Sequence, residues 1–209
     1  MRLVLASNNA GKLVELRTLF GPLGLDLVAQ AALDVDEAEE PHASFVENAL
    51  AKARHAARAC GGAAMADDSG LCVDALGGAP GVASAHFATV DLPPGEREAQ
   101  RRRQDAANNA LLLQRLQGVA DRRARYVCTL VALRSAYDPE PLIATGRWNG
   151  TLLRLPQGSS GFGYDPLVFI PTLDRSVAEL DAATKNEHSH RAIAARQMLA
   201  LMREEWFGG

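Results

Sequence analysis

The chain has 209 residues, enough to bury a hydrophobic core as one large domain or as two closely joined lobes. Its net charge of −3 and its isoelectric point of about 6.0 argue against a general polyanion-binding protein. The three scattered cysteines lack metal-type spacing and favour a reduced cytoplasmic protein, and the apolar stretch before Ser7 is too short for a secretion signal or a membrane span.

The first third of the chain alternates predicted strands and helices, recognised by apolar periodicity and by the turn residues between them. These elements are a strand over 2–6, a helix over 12–20 ended by Gly21-Pro22, a strand over 25–29, an acidic loop over 34–40, a helix over 44–60 and a strand over 63–66. The helix over 44–60 has the clearest signals, because Ser44 and Glu47 form a capping-box pattern and Gly61-Gly62 is a typical helix end.

The rest of the chain has longer predicted elements. They are a helix over 96–116, strands over 126–133 and 142–148 joined by a turn at 138–141, a loop over 158–163, a strand over 167–170, a short helix beginning at Ser176 and a terminal helix over 189–204. The alternation of strands and helices in the first third, followed by a strand hairpin, predicts an α/β fold with a mixed sheet.

A polar segment between the first strand and the first helix is a candidate phosphate-binding loop. It consists of Ser7, Asn8, Asn9, Ala10, Gly11 and Lys12. A helix N-terminus offers unpaired N–H donors and a partial positive charge, and the lysine adds a cation. The spacing is not that of a P-loop, and a plain polar turn is the alternative.

Carboxylates supply a candidate metal site. Asp67 and Asp68 lie where a strand is predicted to end, and neighbouring strand residues point to opposite faces, so we expect them to have different roles. Mg²⁺ commonly takes one or two carboxylates together with phosphate oxygens and water, and Asp68 with Glu40 could supply that pair. The alternatives are a turn at Asp67 to Gly70 and a solvated charge run in the acidic loop.

Lysine is rare in this chain, with three residues against 19 arginines, so each lysine is a candidate for its own chemistry. Lys12 lies in the polar loop. Lys52 shares a helix face with Asn48, four residues earlier, and could reach a phosphate or a metal-bound water. Lys185 precedes Ser189, His190 and Arg191, and we expect these donors to gather at the start of the terminal helix. Cations there are unfavourable unless something anionic or electron-rich lies near.

A glycine-flanked aromatic segment is a candidate base-binding loop. Its residues are Gly161, Phe162, Gly163, Tyr164, Asp165 and Pro166. Glycines let the backbone approach a flat ligand, while an aromatic ring can stack on a base for roughly 1–3 kcal/mol. A turn with Phe162 at the edge of the core is the alternative.

Taken together, these segments resemble the inosine triphosphate pyrophosphatase family, the non-canonical purine NTP pyrophosphatases. They occur in the family's order from residue 3 to residue 191, and all three lysines fall within that range. The matching segments are residues 7–12, 44–49 with Lys52, 66–71, 76–81, 161–166 and 189–191.

The resemblance implies a role for each segment. Residues 7–12 would hold the triphosphate, and Lys52 would lie among the phosphates. Asp68 would be the catalytic acid or base and a Mg²⁺ ligand, with Glu40 the second ligand and Glu39 the alternative. The other implied substrate contacts are Ser69, Phe162 stacking on the base, Gly163, Tyr164 and Asp165, and then Lys185, His190 and Arg191 at the 6-position of the base.

The resemblance also implies an elongated α/β fold, with helices flanking a mixed sheet and two lobes around a central substrate cleft. The whole chain, residues 1–209, would form this one domain, act as a homodimer and convert ITP, dITP or XTP to monophosphate and pyrophosphate. Donors such as Arg191 or His190 would pair with the 6-oxygen of these bases and be left unpaired against the amine of adenine. Three other interpretations are a pyrophosphatase for pyrimidine or modified nucleotides, a catalytically silent nucleotide sensor, and a nucleic-acid-binding module using its arginine clusters. The acidic isoelectric point disfavours the last of these.

Overall fold

The computed structural model describes residues 2–21, 24–91 and 95–208. The helices and strands found there are β1 (Arg2–Leu5), α1 (Ala10–Phe20), β2 (Asp26–Ala29), α2 (Phe45–Cys60), β3 (Ala64–Val73), α3 (Arg97–Arg115), β4 (Arg123–Leu133), β5 (Leu142–Leu152), β6 (Val168–Ile170), β7 (Arg175–Ser176), α4 (Ala182–His188) and α5 (His190–Glu205). Among these described residues, no helix combines the length and the apolar character that crossing a membrane requires.

The strands form one sheet in the order β2-β1-β3-β4-β5-β6-β7. β1 pairs in parallel with β2 and β3, whereas β6 pairs antiparallel with β5 and β7. Because α1 connects β1 to its parallel neighbour β2, the first part of the sheet has the crossover that parallel pairing needs. The predicted α/β fold with a mixed sheet flanked by helices is therefore confirmed.

Local sequence signals set the ends of α2 as predicted. The Ser44 hydroxyl accepts a hydrogen bond from the Glu47 N–H and donates one to the Glu47 carboxylate, and Gly61 ends the helix with a left-handed backbone. Other predicted ends were less accurate, since α1 begins at Ala10 rather than Lys12. Pro22, predicted to end α1 with Gly21, lies outside the described residues.

The chain divides into two compact units. The first unit comprises Met1–Asp68, Cys128–Arg147 and Asn186–Gly209, and the second comprises Ser69–Val127 and Trp148–Lys185. The strands β3, β4 and β5 contribute residues to both.

The core of the first unit follows the two-residue periodicity of its strands. Leu3, Leu5 and Met65 join a cluster that includes residues of α1 and α5. The intervening Val4 and Ala64 join a second cluster, with alanines of α2. Successive strand residues therefore face different helices, α1 and α5 on one side and α2 on the other.

The second unit has its own core. It contains residues of β4, β5 and β6 together with Leu112 of α3 and Leu116 at the end of that helix, and large side chains such as Trp148 and Tyr164 fill it. This packing fixes α3 against the strands and against the segment that contains Tyr164.

A close contact between β5 and α5 in the first unit predicts a sensitive glycine. A Cβ on Gly146 would lie 1.9 Å from the His190 carbonyl oxygen and 2.6 Å from the Ala194 nitrogen, both backbone atoms. We expect Gly146→Ala to lower the free energy of unfolding by about 1–3 kcal/mol, because the helix must move away from the sheet. Gly62→Ala is the control, since its Cβ would meet nothing closer than 4.0 Å. Equal urea midpoints for the two variants would contradict this packing.

Candidate functional site

Asp67 and Asp68 lie in the middle of a strand, not at its end. β3 continues to Val73, so the prediction that the strand ends near Ala66 and the alternative of a turn at Asp67 to Gly70 are both wrong. Asp67 continues the Met65 side of β3, which faces α1 and α5, and Asp68 continues the side that faces α2. The expectation that the two side chains point to opposite faces is confirmed, and they pair with different lysines, whereas their different roles stay a prediction.

Asp68 is held by two residues of α2. The Asn48 side-chain amide donates to Asp68 Oδ2 over 3.2 Å, and the Lys52 ammonium lies 3.5 Å from Asp68 Oδ1. The Lys52 ammonium is also 3.0 Å from Glu40 Oε1 in the acidic loop. Asn48 ties that loop to the helix as well, through hydrogen bonds with both backbone groups of His42. Two carboxylates thus converge on one ammonium group.

The electrostatics of this group depend on burial. The Asp68 side chain is 6% exposed. Burial raises the pKa of Asp68, the charge of Lys52 opposes that rise and the charge of Glu40 adds to it. Burial alone would lower the pKa of Lys52, but Asp67, Asp68 and Glu40 together raise it, so Lys52 stays protonated.

The residues around Lys52 fit a divalent cation of the Mg²⁺ type. Among the described residues there is no group of three or more histidine, cysteine, aspartate or glutamate side chains able to hold a metal. A pair of carboxylates is nevertheless what Mg²⁺ usually takes from a protein when phosphate oxygens and water complete its shell. Asp68 and Glu40 form such a pair, and the ammonium between them shows that this position attracts a cation.

The segment from Ser7 to Lys12 forms the predicted strand-to-helix turn. Asn9 caps α1, because its side chain accepts from the Lys12 N–H, and the Ser7 hydroxyl accepts from the Asn9 N–H. Since α1 begins at Ala10, the N–H groups of Ala10 and Gly11 belong to its first turn, where intrahelical acceptors are missing. The Asn8 side-chain oxygen is buried and has no hydrogen-bond partner among the described residues. The segment therefore presents polar groups suited to an added ligand.

Asp67 lies at the centre of a buried ionic network. The Lys12 ammonium is 2.8 Å from Asp67 Oδ2, and the Arg191 Nε is 3.9 Å from the same oxygen. Arg191 also donates to the Glu15 carboxylate, and its side chain is 2% exposed. Burial opposes ionisation of Asp67, but Lys12 and Arg191 hold its pKa well below the usual range. The network alternates positive and negative charges and links α1, β3 and α5.

In the second unit, Asp165 organises the glycine-flanked aromatic loop. Its carboxylate accepts hydrogen bonds from the Phe162 N–H over 3.0 Å, the Tyr126 hydroxyl over 2.9 Å and the Lys185 ammonium over 2.9 Å. A Cβ on Gly161, where φ is +80°, would lie 2.1 Å from Asp165 Oδ2, so the loop requires glycine there. These bonds fold the loop around the carboxylate.

The aromatic side chains of the loop have different environments. The Tyr164 ring is buried, and its hydroxyl donates to the Ser84 carbonyl over 2.9 Å. Phe162 is half-buried, and the Lys185 ammonium lies 4.7 Å from its ring centroid, a cation–π geometry. Because the Tyr164 hydroxyl and the Asp165 carboxylate bind protein groups, the half-buried Phe162 ring is the side chain of this loop best placed to meet a ligand, with the Lys185 ammonium of α4 beside it.

Comparison with known proteins gives the family. The Ham1 family model matches residues 3–201. The chain belongs to the Ham1 family. A dITP/XTP pyrophosphatase of Methylibium petroleiphilum is 70% identical over 206 residues, 99% of each chain, and one of Leptothrix cholodnii is 68% identical over 209 residues, 99% of each.

Solved Ham1-family structures have the same fold. A HAM1 protein from Coxiella burnetii is 39% identical with a TM-score of 0.87, covering 98% of this chain and 99% of that one. A nucleoside-triphosphatase / dITP/XTP pyrophosphatase from Mycobacterium abscessus is 40% identical with a TM-score of 0.70, covering 96% and 98%. The resemblance inferred from the sequence motifs is therefore confirmed.

The start of the terminal helix of this Ham1-family chain holds two of the three predicted donors. Lys185 lies in the separate short helix α4, which was not predicted, and its ammonium pairs with Asp165. His190 and Arg191 do begin α5, but both are buried. Their predicted contacts with the base stay predictions, as does that of Ser69 on β3.

Three residues outside the predicted site belong to its surroundings in the Ham1 fold. Asn48 binds Asp68, Asp67 pairs with Lys12, and Glu15 pairs with Arg191. The helical spacing of Asn48 and Lys52 was a usable signal, because residues four apart share a face. Glu15 had no such signal, since its partner is 176 residues away.

Proposed function

We propose that this Ham1-family chain hydrolyses non-canonical purine nucleoside triphosphates, such as dITP, XTP and ITP, to the monophosphate and pyrophosphate. The observation that carries the proposal is the identity of 70% and 68%, over 99% of both chains, to relatives named dITP/XTP pyrophosphatase. Hydrolysis of such nucleotides would keep them out of DNA and RNA. We take residues 1–209 as one catalytic domain.

The first unit would bind the triphosphate. Residues 7–12 offer the first-turn N–H groups of α1 and polar side chains, and anions are stabilised at such a helix N-terminus. Lys12 lies against Asp67, so its position is fixed before substrate arrives. Lys52 would add a second cation and stabilise the charge that develops as pyrophosphate leaves.

Asp68 would orient the attacking water and accept its proton. Burial raises the pKa of Asp68, which makes it a better proton acceptor than an exposed carboxylate, and Asn48 and Lys52 hold its two oxygens in place. Asp68 and Glu40 would hold Mg²⁺, which supplies neutralisation of phosphate charge when bound. Since Lys52 contacts both carboxylates, it would shift toward the phosphates once that cation is present.

The second unit would bind the base. Phe162 offers a half-buried ring for stacking, and the Lys185 ammonium beside it is a donor suited to the 6-oxygen of hypoxanthine or xanthine. Adenine presents a donor amine at that position, and two donors that face each other form no hydrogen bond. Guanine also carries a 6-oxygen, so this contact alone does not exclude GTP.

A nucleotide panel tests the proposed function. Pyrophosphate release is measured with dITP, XTP, ITP, GTP, ATP, dTTP and UTP in Mg²⁺ buffer. We expect kcat/KM for dITP and XTP to exceed that for ATP by at least about a hundredfold, because the adenine amine faces a donor where the 6-oxygen would accept from it, so the hydrogen bond to the base is lost. Activity on dTTP or UTP with none on dITP would overturn the proposal in favour of a pyrimidine nucleotide pyrophosphatase.

Single glutamate-to-glutamine substitutions in the acidic loop test which glutamate binds the metal. We expect Glu40→Gln to raise the Mg²⁺ concentration for half-maximal activity about tenfold or more, since it removes one of two carboxylates near Lys52. Glu39→Gln is the matched control and is expected to leave the Mg²⁺ requirement unchanged. A larger shift for Glu39→Gln would assign the metal to Glu39 instead.

We also propose that the protein is a cytoplasmic homodimer, as the family resemblance implies. Within the described residues, Cys60, Cys72 and Cys128 form no disulfide, and reduced cysteines are typical of cytoplasmic proteins. Light scattering is expected to give twice the chain mass of 22.3 kDa. A monomer mass would contradict the dimer.

A further inference from the structure

Two side chains of helix α3 bind the backbone N–H and the backbone carbonyl of Gly163, in the glycine-flanked aromatic loop. The Gly163 N–H donates to the Asp105 carboxylate over 2.8 Å, and the Asn109 side-chain amide donates to the Gly163 carbonyl over 2.9 Å. Asp105 and Asn109 are four residues apart on one face of α3. Neither belongs to a motif that carried the family resemblance.

The clamped residue is a point at which the loop could otherwise change conformation. Gly163 has a φ of +63°, and a Cβ there would meet nothing within 4 Å, so its backbone conformation, not crowding, favours glycine. Glycine can leave such a conformation easily unless its N–H and carbonyl are both held. Because Phe162 precedes Gly163 and its own N–H binds Asp165, holding Gly163 restrains the backbone on both sides of the Phe162 ring.

The same helix holds a second segment that supports the loop. Asn108 donates to the Ser84 carbonyl over 3.2 Å and accepts from the Ala88 N–H over 2.8 Å, while Gln104 donates to the Ala88 carbonyl over 2.7 Å. The Tyr164 hydroxyl donates to that same Ser84 carbonyl. Four polar side chains of α3, at 104, 105, 108 and 109, therefore connect it to the loop directly and through residues 84–88.

We propose that Asp105 and Asn109 are positioning residues for base selectivity. They hold Gly163 so that the Phe162 ring and the Lys185 ammonium keep the spacing that a keto-bearing purine requires. This inference rests on the proposed function, because it assigns the loop to the base. Loss of either residue's hydrogen bond to Gly163 should therefore weaken binding of the base. It should leave binding of the phosphates unchanged, since their proposed binding groups belong to the first unit.

A pair of isosteric substitutions tests the inference. Asn109→Asp removes the donor to the Gly163 carbonyl, whereas Asp105→Asn keeps a side-chain oxygen that can accept from the Gly163 N–H. We expect Asn109→Asp to raise KM for dITP about fivefold to tenfold with kcat within twofold, and Asp105→Asn to stay close to the parent. Asp105→Ala, which lacks the acceptor, is expected to behave as Asn109→Asp does. Gln114→Ala, an exposed position on α3, is the control.

Ligand binding separates this role from general destabilisation. Calorimetry on the full chain is expected to show weaker IMP binding by Asn109→Asp and unchanged binding of inorganic pyrophosphate, whereas partial unfolding would weaken both. If Asn109→Asp does not fold, Asp105→Ala gives the same comparison. Unchanged KM and unchanged IMP binding in a folded variant would overturn the inference. Absence of dITP hydrolysis by the parent protein would instead overturn the proposed function, so the two failures are distinguishable.

Discussion

Replacing Asp68 by asparagine is expected to abolish turnover while leaving the fold intact. Asparagine has the same shape, and its side-chain oxygen can still accept the hydrogen bond from Asn48. It cannot accept a proton from water, and it removes a negative charge from the pair that would hold Mg²⁺. We expect kcat for dITP to fall by about 10³-fold or more, since loss of a general base alone accounts for roughly 10²–10⁴-fold.

Stability should change little in this variant. Burial raises the pKa of Asp68, which means that the folded protein disfavours its charged form relative to the unfolded chain. Burying the neutral asparagine side chain therefore costs no more free energy than burying the aspartate. We expect the free energy of unfolding to stay within about 1 kcal/mol of the parent. Asp121→Asn, at an exposed aspartate paired with Arg123, is the activity control. Turnover retained by Asp68→Asn, measured as pyrophosphate release, would remove Asp68 from its proposed role.

Replacing Arg191 by methionine is expected to be the most destabilising of these changes. Methionine approximates the length of the side chain but leaves the Glu15 carboxylate, and partly Asp67, without their guanidinium partner in a buried site. Removing one member of a buried ion pair costs about 3–5 kcal/mol, because the remaining charge keeps its desolvation penalty. The pKa of Asp67 would rise as well, since Arg191 and Lys12 hold it down against burial. Urea unfolding at neutral pH measures the loss.

Two further variants show whether the buried ionic network around Asp67 is the reason for this loss of stability. Arg196→Met lies on the same helix α5, at an exposed position where the arginine binds the Glu187 carbonyl, and is expected to change stability by about 0.5 kcal/mol or less. Adding Glu15→Met to Arg191→Met is expected to recover part of the loss, because neither partner is then left unpaired. Equal midpoints for Arg191→Met and Arg196→Met would show that the buried pairs do not stabilise the fold.

Local signals predicted the parts of the fold that local chemistry controls. The cap at Ser44 and the glycine at Gly61 set the ends of α2 because the relevant hydrogen bond and backbone angle involve only a few consecutive residues. Alternation of side chains along a strand likewise predicted that Asp67 and Asp68 point to opposite faces. The spacing of Asn48 and Lys52 predicted their common face, which proved to be the face that binds Asp68.

Local signals failed where distant residues override intrinsic preference. Asp67 to Gly70 has the composition of a turn, yet β3 runs through it. The strand can continue because cations from α1, α2 and α5 pair with the two carboxylates, so their burial is not left uncompensated. The short helix α4, which contains Lys185, was not predicted, since it has too few residues to show a periodic pattern.

The sequence by itself determined the fold class, the family and the identity of most candidate site residues, because these depend on periodicity, on capping chemistry and on motifs whose order is visible in one dimension. The tertiary structure alone decided the pairing of Arg191 with Glu15, the convergence of Glu40 and Asp68 on Lys52, and the clamp of α3 on Gly163. Each of these joins groups well separated in sequence. Folding brings such groups together only when burial of the surrounding core offsets the entropy of closing the intervening chain.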